Sequence, residues 1–307
     1  MNITTGDSQD LGGLATEAVD PRYAEIDTLP IGELARMMNE ADATVPAAVA
    51  RELPRIVPAI EAAAERMRSG GRLIYIGAGT AGRMGVLDAS EAPPTFNTSP
   101  ELVFAILAGG ANAFATPEEG AEDDPEAGAS AIDAASVGPL DTVIGIASSG
   151  RTPYVIAAVR RARERGALTV ALSCNSGTKL SAVAEYPIEV VVGPEVVSGS
   201  TRLKGGTAQK LVLNMFSTIL MVQLGKTYGN LMVDVRPTNE KLRQRAVRIV
   251  STVTGVASEQ ALATLESADF RVKVAIASIQ LGIDVDEAAT KVDRAAGRLR
   301  VVLGESA

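Results

Sequence analysis

LIYIGAGTAGRMGVLDASEAPP, residues Leu73 to Pro94, opens with an apolar run, turns through three glycines into a helical pattern, and ends in a glutamate ahead of two prolines. The run and the glycine turn read as a buried strand passing tightly into a helix. Further apolar runs follow at Leu102–Leu107, Thr142–Ala147, Thr169–Ser173 and Ile188–Val192, separated by helical patterns. Runs that are apolar at successive positions suit strands covered on both faces, and helices between them suit crossovers in a parallel sheet. The spacing therefore predicts an α/β domain, doubly wound around five parallel strands. Helical patterns at about 30–41 and 44–69 precede the first strand, and a long helix is expected from about Arg202 to Leu224. The stretch after Asn239 is charged and helical without strand signals. The expected organisation is an N-terminal arm over 1–28, the α/β domain with its leading helices over 29–238, and a small helical domain over 239–307.

Composition narrows the function. The 307 residues are 46% hydrophobic and 21% charged, which is the balance of a folded globular chain. A net charge of −8 argues against binding a phosphate backbone, because such affinity comes from clustered Lys and Arg. A small-molecule ligand is the better expectation. The apolar stretch Leu211–Leu224 is broken by polar residues and falls short of a membrane span. The polar, acidic start lacks a signal-peptide layout, and with the lone Cys174 this points to a reducing cytoplasm. There is no histidine, so a zinc site is not expected and proton transfer falls to Asp, Glu, Lys or Tyr.

Gly77, Gly79 and Gly82 form GxGxxG after a strand, the spacing that brings backbone to a phosphate at a helix N-terminus. A dinucleotide site also needs an acid at the end of the second strand. That strand instead runs into Leu107, Ala108, Gly109 and Gly110. The turn then reads as plain close packing, as a dinucleotide turn lacking its ribose acid, or, in preference, as a site for another phosphate-bearing ligand, with Thr80 its hydroxyl. Ser148, Ser149, Gly150, Arg151 and Thr152 form a second such loop, in which Thr152 and Pro153 suit the start of a helix. It reads as an anion site or as a capped turn with Arg151 in solvent. A third loop, VSGSTRLKGG from Val197 to Gly206, sets Ser198, Ser200, Arg202 and Lys204 before the long helix. It closes over an anionic sugar or merely caps that helix.

Glu91 is expected in the last turn of the helix begun by the glycines, which Pro93 and Pro94 would end. There it would face the negative end of the helix dipole, which disfavours its charged form and suits a proton donor. Glu122 follows an apparent capping box at Thr116–Glu119, which explains Glu118 and Glu119 as first-turn acids but not Glu122. Spacing alone places both glutamates on a solvated surface more readily than in a site.

Taken together, YIGAGTAGRMGVLDASEAPPTF, GGANAFATPEEGAED, GIASSGRTPYVIAA, GPEVVSGSTRLKGGTAQKLVLNM and YGNLMVDVRPTNEKL resemble the N-acetylmuramic acid 6-phosphate etherases of the sugar isomerase domain superfamily, over nearly the whole chain from about Thr16. The resemblance implies an αβα sandwich of flavodoxin-like, sugar isomerase type with a five-stranded parallel sheet, a homodimer, and a C-terminal domain similar to ubiquitin-associated domains. It implies cleavage of a lactyl ether in peptidoglycan recycling, with no metal or organic cofactor. The family's proton donor in DASE falls on Glu91 and its second catalytic glutamate, in EGAED, on Glu122. Phosphate recognition falls on Thr80, Ser148, Ser149, Arg151, Thr152, Ser200 and Lys204. The chain departs from the family's usual GTSGR at Ala81, which removes a hydroxyl, and at Ala92, where a Cys often follows the glutamate. A non-catalytic sugar-phosphate sensor would share the phosphate loops without needing both glutamates, and an aldose-ketose isomerase would share the opened sugar without releasing lactate.

Overall fold

The computed structural model describes residues 13–116, 118–235, 237 and 239–305. Of the expected arm, residues 1–12 therefore lie outside the described part. Within the rest of it, Leu14 and Thr16 are buried. Thr16 exchanges two hydrogen bonds with Asn175, its backbone N donating to Oδ1 at 3.3 Å and its hydroxyl accepting from Nδ2 at 3.0 Å.

The chain divides into two compact units, one of residues 1–88 and 104–215, the other of residues 89–103 and 216–307. In the first, helices α1 (Ile31–Asp42) and α2 (Val45–Arg68) precede β1 (Leu73–Gly77). There follow α3 (Gly79–Phe96), β2 (Val103–Leu107), α4 (Pro125–Ala134), β3 (Thr142–Ile146), α5 (Pro153–Glu164), β4 (Leu168–Ser173), α6 (Lys179–Val183), β5 (Tyr186–Glu189) and α7 (Lys204–Gln223). Helices α3 and α7 each run on into residues of the second unit. The sheet order is β2-β1-β3-β4-β5, and the registers Ile74↔Val143, Val143↔Thr169 and Leu172↔Ile188 are parallel. This is the expected five-stranded parallel sheet between helices.

The strands read as unbroken apolar runs because both faces are covered: every residue of β1, β3 and β4 is buried. Alternate residues of a strand face opposite sides. Ile74, Ile76, Val143 and Ala171 share a core with Val155, Ala158, Val159 and Ala162 of α5 and Leu180 of α6.

The fifth strand departs from expectation, pairing over Tyr186–Glu189 rather than Ile188–Val192. It is an edge strand, where Pro187 costs no ladder bond if its nitrogen faces outward, and its apolar signal is weak because only Ile188 among its residues is buried.

In the second unit, Asn239 caps α8 (Glu240–Thr254) by accepting from Leu242 N at 2.9 Å. Helices α9 (Ser258–Ser267), α10 (Val272–Leu281), α11 (Val285–Arg294) and α12 (Leu299–Val302) follow. They close on a core that includes Val233, Ile249, Leu265, Ile276 and Val292. Among the described residues no helix is long and apolar enough to cross a membrane.

Candidate functional site

In open parallel sheets, ligands bind beyond the carboxyl ends of the strands. At the end of β1 the glycine turn is packed backbone against backbone. A Cβ on Gly77 would lie 2.7 Å from Gly82 N, and one on Gly82 would lie 2.3 Å from Leu107 Cδ1 and 2.7 Å from Gly77 O. Two of the three motif glycines are thus explained by strand-to-helix packing, without a dinucleotide. Thr80 is half-buried, and its Cγ2 lies 3.6 Å from where a Cβ of Gly206 would stand. Ala81 is buried.

At the end of β3, Ser148 is held at both its polar groups. Its carbonyl accepts from Cys174 N and Asn175 Nδ2, each at 2.9 Å, and its hydroxyl oxygen accepts from Gln209 Nε2 at 2.8 Å. Ser149 Oγ accepts from Arg151 N at 3.2 Å, which leaves the serine proton to be donated elsewhere. Gly150 takes a φ of +63° and packs against Thr178. Thr152 stands at the N-cap of α5 with Pro153 at its first position, as expected, yet its side chain caps no backbone N–H. Arg151 and Thr152 are both half-buried.

The third loop leads to the start of α7, but its hydroxyls do not supply the acceptor found there. Glu195, almost fully buried, accepts from Lys204 N and Gly205 N at 2.9 Å each. Burial pushes its carboxyl above the usual range, against the pull of those two donors and of the Lys204 ammonium. Lys204 is itself buried, and its Nζ donates to the Val192 carbonyl at 2.7 Å. Burial holds that ammonium below the usual lysine range, opposed first by the charge of Glu195. Ser200 is half-buried, its N donating to Val197 O at 2.9 Å. A Cβ on Gly205 would lie 3.4 Å from Ser148 Oγ and 3.5 Å from Glu195 Oε1. The first unit thus gathers Thr80, Ser148, Glu195 and Gln209 around Gly205 and Gly206.

Glu91 is exposed on α3, in the second unit. Pro93 and Pro94 do not end the helix, which continues to Phe96. Each proline forfeits the bond its N–H would have made one turn back, yet the helical backbone carries past both. The stop is Asn97, at φ +50°, whose N donates to Pro93 O at 2.9 Å. Glu91 therefore stands before the last turn, and the helix-end argument for its proton affinity loses its premise. Glu122 lies exposed in a short 3-10 turn, Ala121–Asp123, in the first unit. The apparent capping box starts no α-helix: α4 begins at Pro125, capped by Asp124, whose Oδ1 accepts from Ala127 N at 2.9 Å. Pro117 of that box lies outside the described residues.

Sequence reasoning missed Glu195, Asn175, Gln209 and Asp88. Asp88 is buried and accepts at 2.6 Å from both Tyr75 Oη and Asn214 Nδ2. Gln209 did leave a signal, since it shares the buried face of α7 with Leu213, Phe216 and Leu220 at spacings of four, seven and eleven. Among the described residues no cluster of three or more Asp, Glu or Cys side chains is placed to hold a metal ion.

A five-stranded parallel sheet with glycine and hydroxyl loops beyond its strands, followed by a helical domain, defines a sugar isomerase (SIS) domain protein. The SIS domain model matches residues 124–219, and the N-terminal SIS domain of glucokinase regulatory protein matches residues 55–163. The C-terminal lid domain of glucokinase regulatory protein matches residues 229–302. A phosphoheptose isomerase from Francisella tularensis has the same fold, with a TM-score of 0.50 at 20% identity over 63% of this chain and 100% of that one. Nearer relatives fix the family. The chain is 59% identical to the N-acetylmuramic acid 6-phosphate etherase of Rubrobacter xylanophilus, over 96% of this chain and 97% of that protein. It is 58% identical to the etherase of Streptomyces avermitilis, over 96% and 94% respectively. The chain belongs to the N-acetylmuramic acid 6-phosphate etherases.

Proposed function

We propose that this protein cleaves the D-lactyl ether of N-acetylmuramic acid 6-phosphate to N-acetylglucosamine 6-phosphate and D-lactate, as a carbon-oxygen lyase of peptidoglycan amino sugar recycling. The observation that carries the reading is 59% identity to an etherase along 96% of the chain, with both motif glutamates, Glu91 and Glu122, in place. A sensor would need the phosphate loops but neither glutamate.

The chemistry follows from the substrate. With the sugar ring open, carbon 2 lies beside an aldehyde and its proton is acidic. Glu122 takes that proton, and the electron pair forms the carbon 2–carbon 3 double bond. The bond from carbon 3 to the ether oxygen breaks, and Glu91 protonates the departing lactate. Water then adds across the double bond, hydroxyl to carbon 3 and proton to carbon 2, giving the product sugar. Two carboxyl groups, one acting as base and the other as acid, can serve this chemistry without histidine. Both are exposed, so substrate can reach them. Thr80, Ser148, Ser149, Arg151, Thr152, Ser200 and Lys204 are assigned to the sugar phosphate. The hydroxyl proton of Ser149 and the uncapped hydroxyl of Thr152 support that assignment most directly, whereas Lys204 is buried with one of its three N–H donors given to the Val192 carbonyl. The working form is a cytoplasmic homodimer without cofactor.

Glu91→Ala and Glu122→Ala should each lower turnover roughly 10²-fold or more, the scale of a lost general acid or base. In heavy water Glu91→Ala should still exchange the carbon 2 proton and Glu122→Ala should not. The reverse pattern swaps the two roles, and full activity in both variants rejects the mechanism.

A further inference from the structure

Ser148 can serve a phosphate only if its proton is turned outward, and a hydroxyl rotor is free to spend that proton elsewhere. Gln209 removes the choice. It is fully buried in the second turn of α7, and its Nε2 donates to Ser148 Oγ at 2.8 Å. An amide N–H fills a lone pair of the hydroxyl oxygen and cannot take its proton. The opposite amide orientation, with Ser148 donating to the glutamine oxygen, would bury the NH₂ group with two donors unpaired. In the orientation found, one N–H is paired, and the acceptor Oε1 and the second N–H are left without a partner among the described residues; an unpaired carbonyl oxygen is better tolerated than a second unpaired N–H.

The remaining freedom of Ser148 is also taken up. Its carbonyl is fixed by Cys174 N and Asn175 Nδ2, and Gly205 leaves the space beside its hydroxyl that any side chain would fill. Cys174 Sγ stands beside the hydroxyl as a competing acceptor. Burial pushes that thiol up to about 12, so it stays neutral, and neutral sulfur is a weak acceptor beside a phosphate oxygen.

We propose that Gln209 is a positioning residue, which donates to Ser148 Oγ and thereby commits the serine proton to an anionic oxygen of the bound sugar phosphate. This rests on the phosphate reading of the Ser148 loop given above. Gln209 touches no substrate and acts only through Ser148, so its effect should vanish when that hydroxyl is absent.

The test is a double-mutant cycle on the full chain. Inorganic phosphate affinity, KM and kcat for N-acetylmuramic acid 6-phosphate, and melting temperature are read for Gln209→Met, Ser148→Ala and the pair. Gln209→Met should weaken phosphate binding and raise KM roughly tenfold, the scale of one hydrogen bond to a charged group, with kcat within about twofold by the same reasoning. The pair should be no worse than Ser148→Ala alone. Gln209→Glu should be worse than Gln209→Met, because a carboxylate takes the serine proton and repels the ligand. If that variant does not fold, the cycle with Gln209→Met decides. Additive losses overturn the proposal, as does a folded Gln209→Glu that binds phosphate like wild type, or a wild type that binds no phosphate. Phosphate coupling without lactate release would sink the etherase reading and leave Gln209 in place; lactate release with additive losses would do the reverse.

Discussion

The two ends of β1 and β3 use polar groups in opposite ways. Ahead of the strands, Asp141 is saturated: it accepts from Arg72 N and Nε at 3.0 Å, from Arg72 Nη2 at 2.6 Å and from Gly138 N at 2.9 Å. Beyond the strands, Ser149 and Thr152 keep donor capacity that no neighbouring backbone group absorbs. A saturated group cannot help a ligand, and an unsatisfied one does little for the fold. Asp141 therefore serves the fold, whereas Ser149 and Thr152 are left available to a ligand.

The largest effect expected is one that cuts across this division. Gly82→Ala lies at the functional end, yet its Cβ would meet both Leu107 Cδ1 and the backbone of Gly77. It should cost stability by about 3 kcal/mol, at the upper end for overpacking, as well as activity. Retained stability in a urea or thermal melt would show the turn to be looser than its packing implies.

Next in size is Asp141→Asn, which leaves Arg72 partly buried against an uncharged partner and should cost about 2 kcal/mol, below the figure for a fully buried pair because Arg72 is partly solvated, while KM per folded molecule stays unchanged. The sign with pH follows from the carboxyl. Burial raises it, but the Arg72 and Gly138 hydrogen bonds and the Arg72 charge outweigh that and hold it below its usual range. The stabilisation is complete above about pH 4, the ordinary carboxylate value, and is lost as pH falls through the lower native value. The variant should therefore melt with a shallower acid dependence than wild type, and identical acid profiles would remove the bridge from the account.

Smallest in stability are Ser149→Ala and Thr152→Ala. Each should raise KM roughly tenfold through one lost bond to a charged phosphate, with unfolding free energy within about 0.5 kcal/mol of wild type. A fall in stability without a change in KM would return both residues to the fold.

Much of this was legible in the sequence. Three strands, β1, β3 and β4, stand out because every residue in them is buried and apolar residues run on; β2 is half-buried in its middle but all apolar, and the glycine turn declares itself by spacing. The edge strand Tyr186–Glu189 was hidden by Pro187 and half-exposed side chains, while Val190–Val192 beyond it imitated a strand. Pro93 and Pro94 read as a stop, but the helix runs past both to Phe96 and stops at Asn97, in the left-handed region. The supports of the site were the least legible. Gln209 reaches Ser148 across 61 positions and Thr16 reaches Asn175 across 159, and no local pattern encodes such pairs. Glu91 and Glu122 carry no mark of burial or hydrogen bonding that separates them from surface acids, so their assignment came from motif resemblance alone.

The most direct test is chemical. Purified protein given N-acetylmuramic acid 6-phosphate should release D-lactate and N-acetylglucosamine 6-phosphate in equal amounts, followed by enzymatic lactate assay and mass spectrometry. Folded protein that binds the sugar phosphate but releases no lactate would contradict the account and leave a sugar-phosphate sensor in its place.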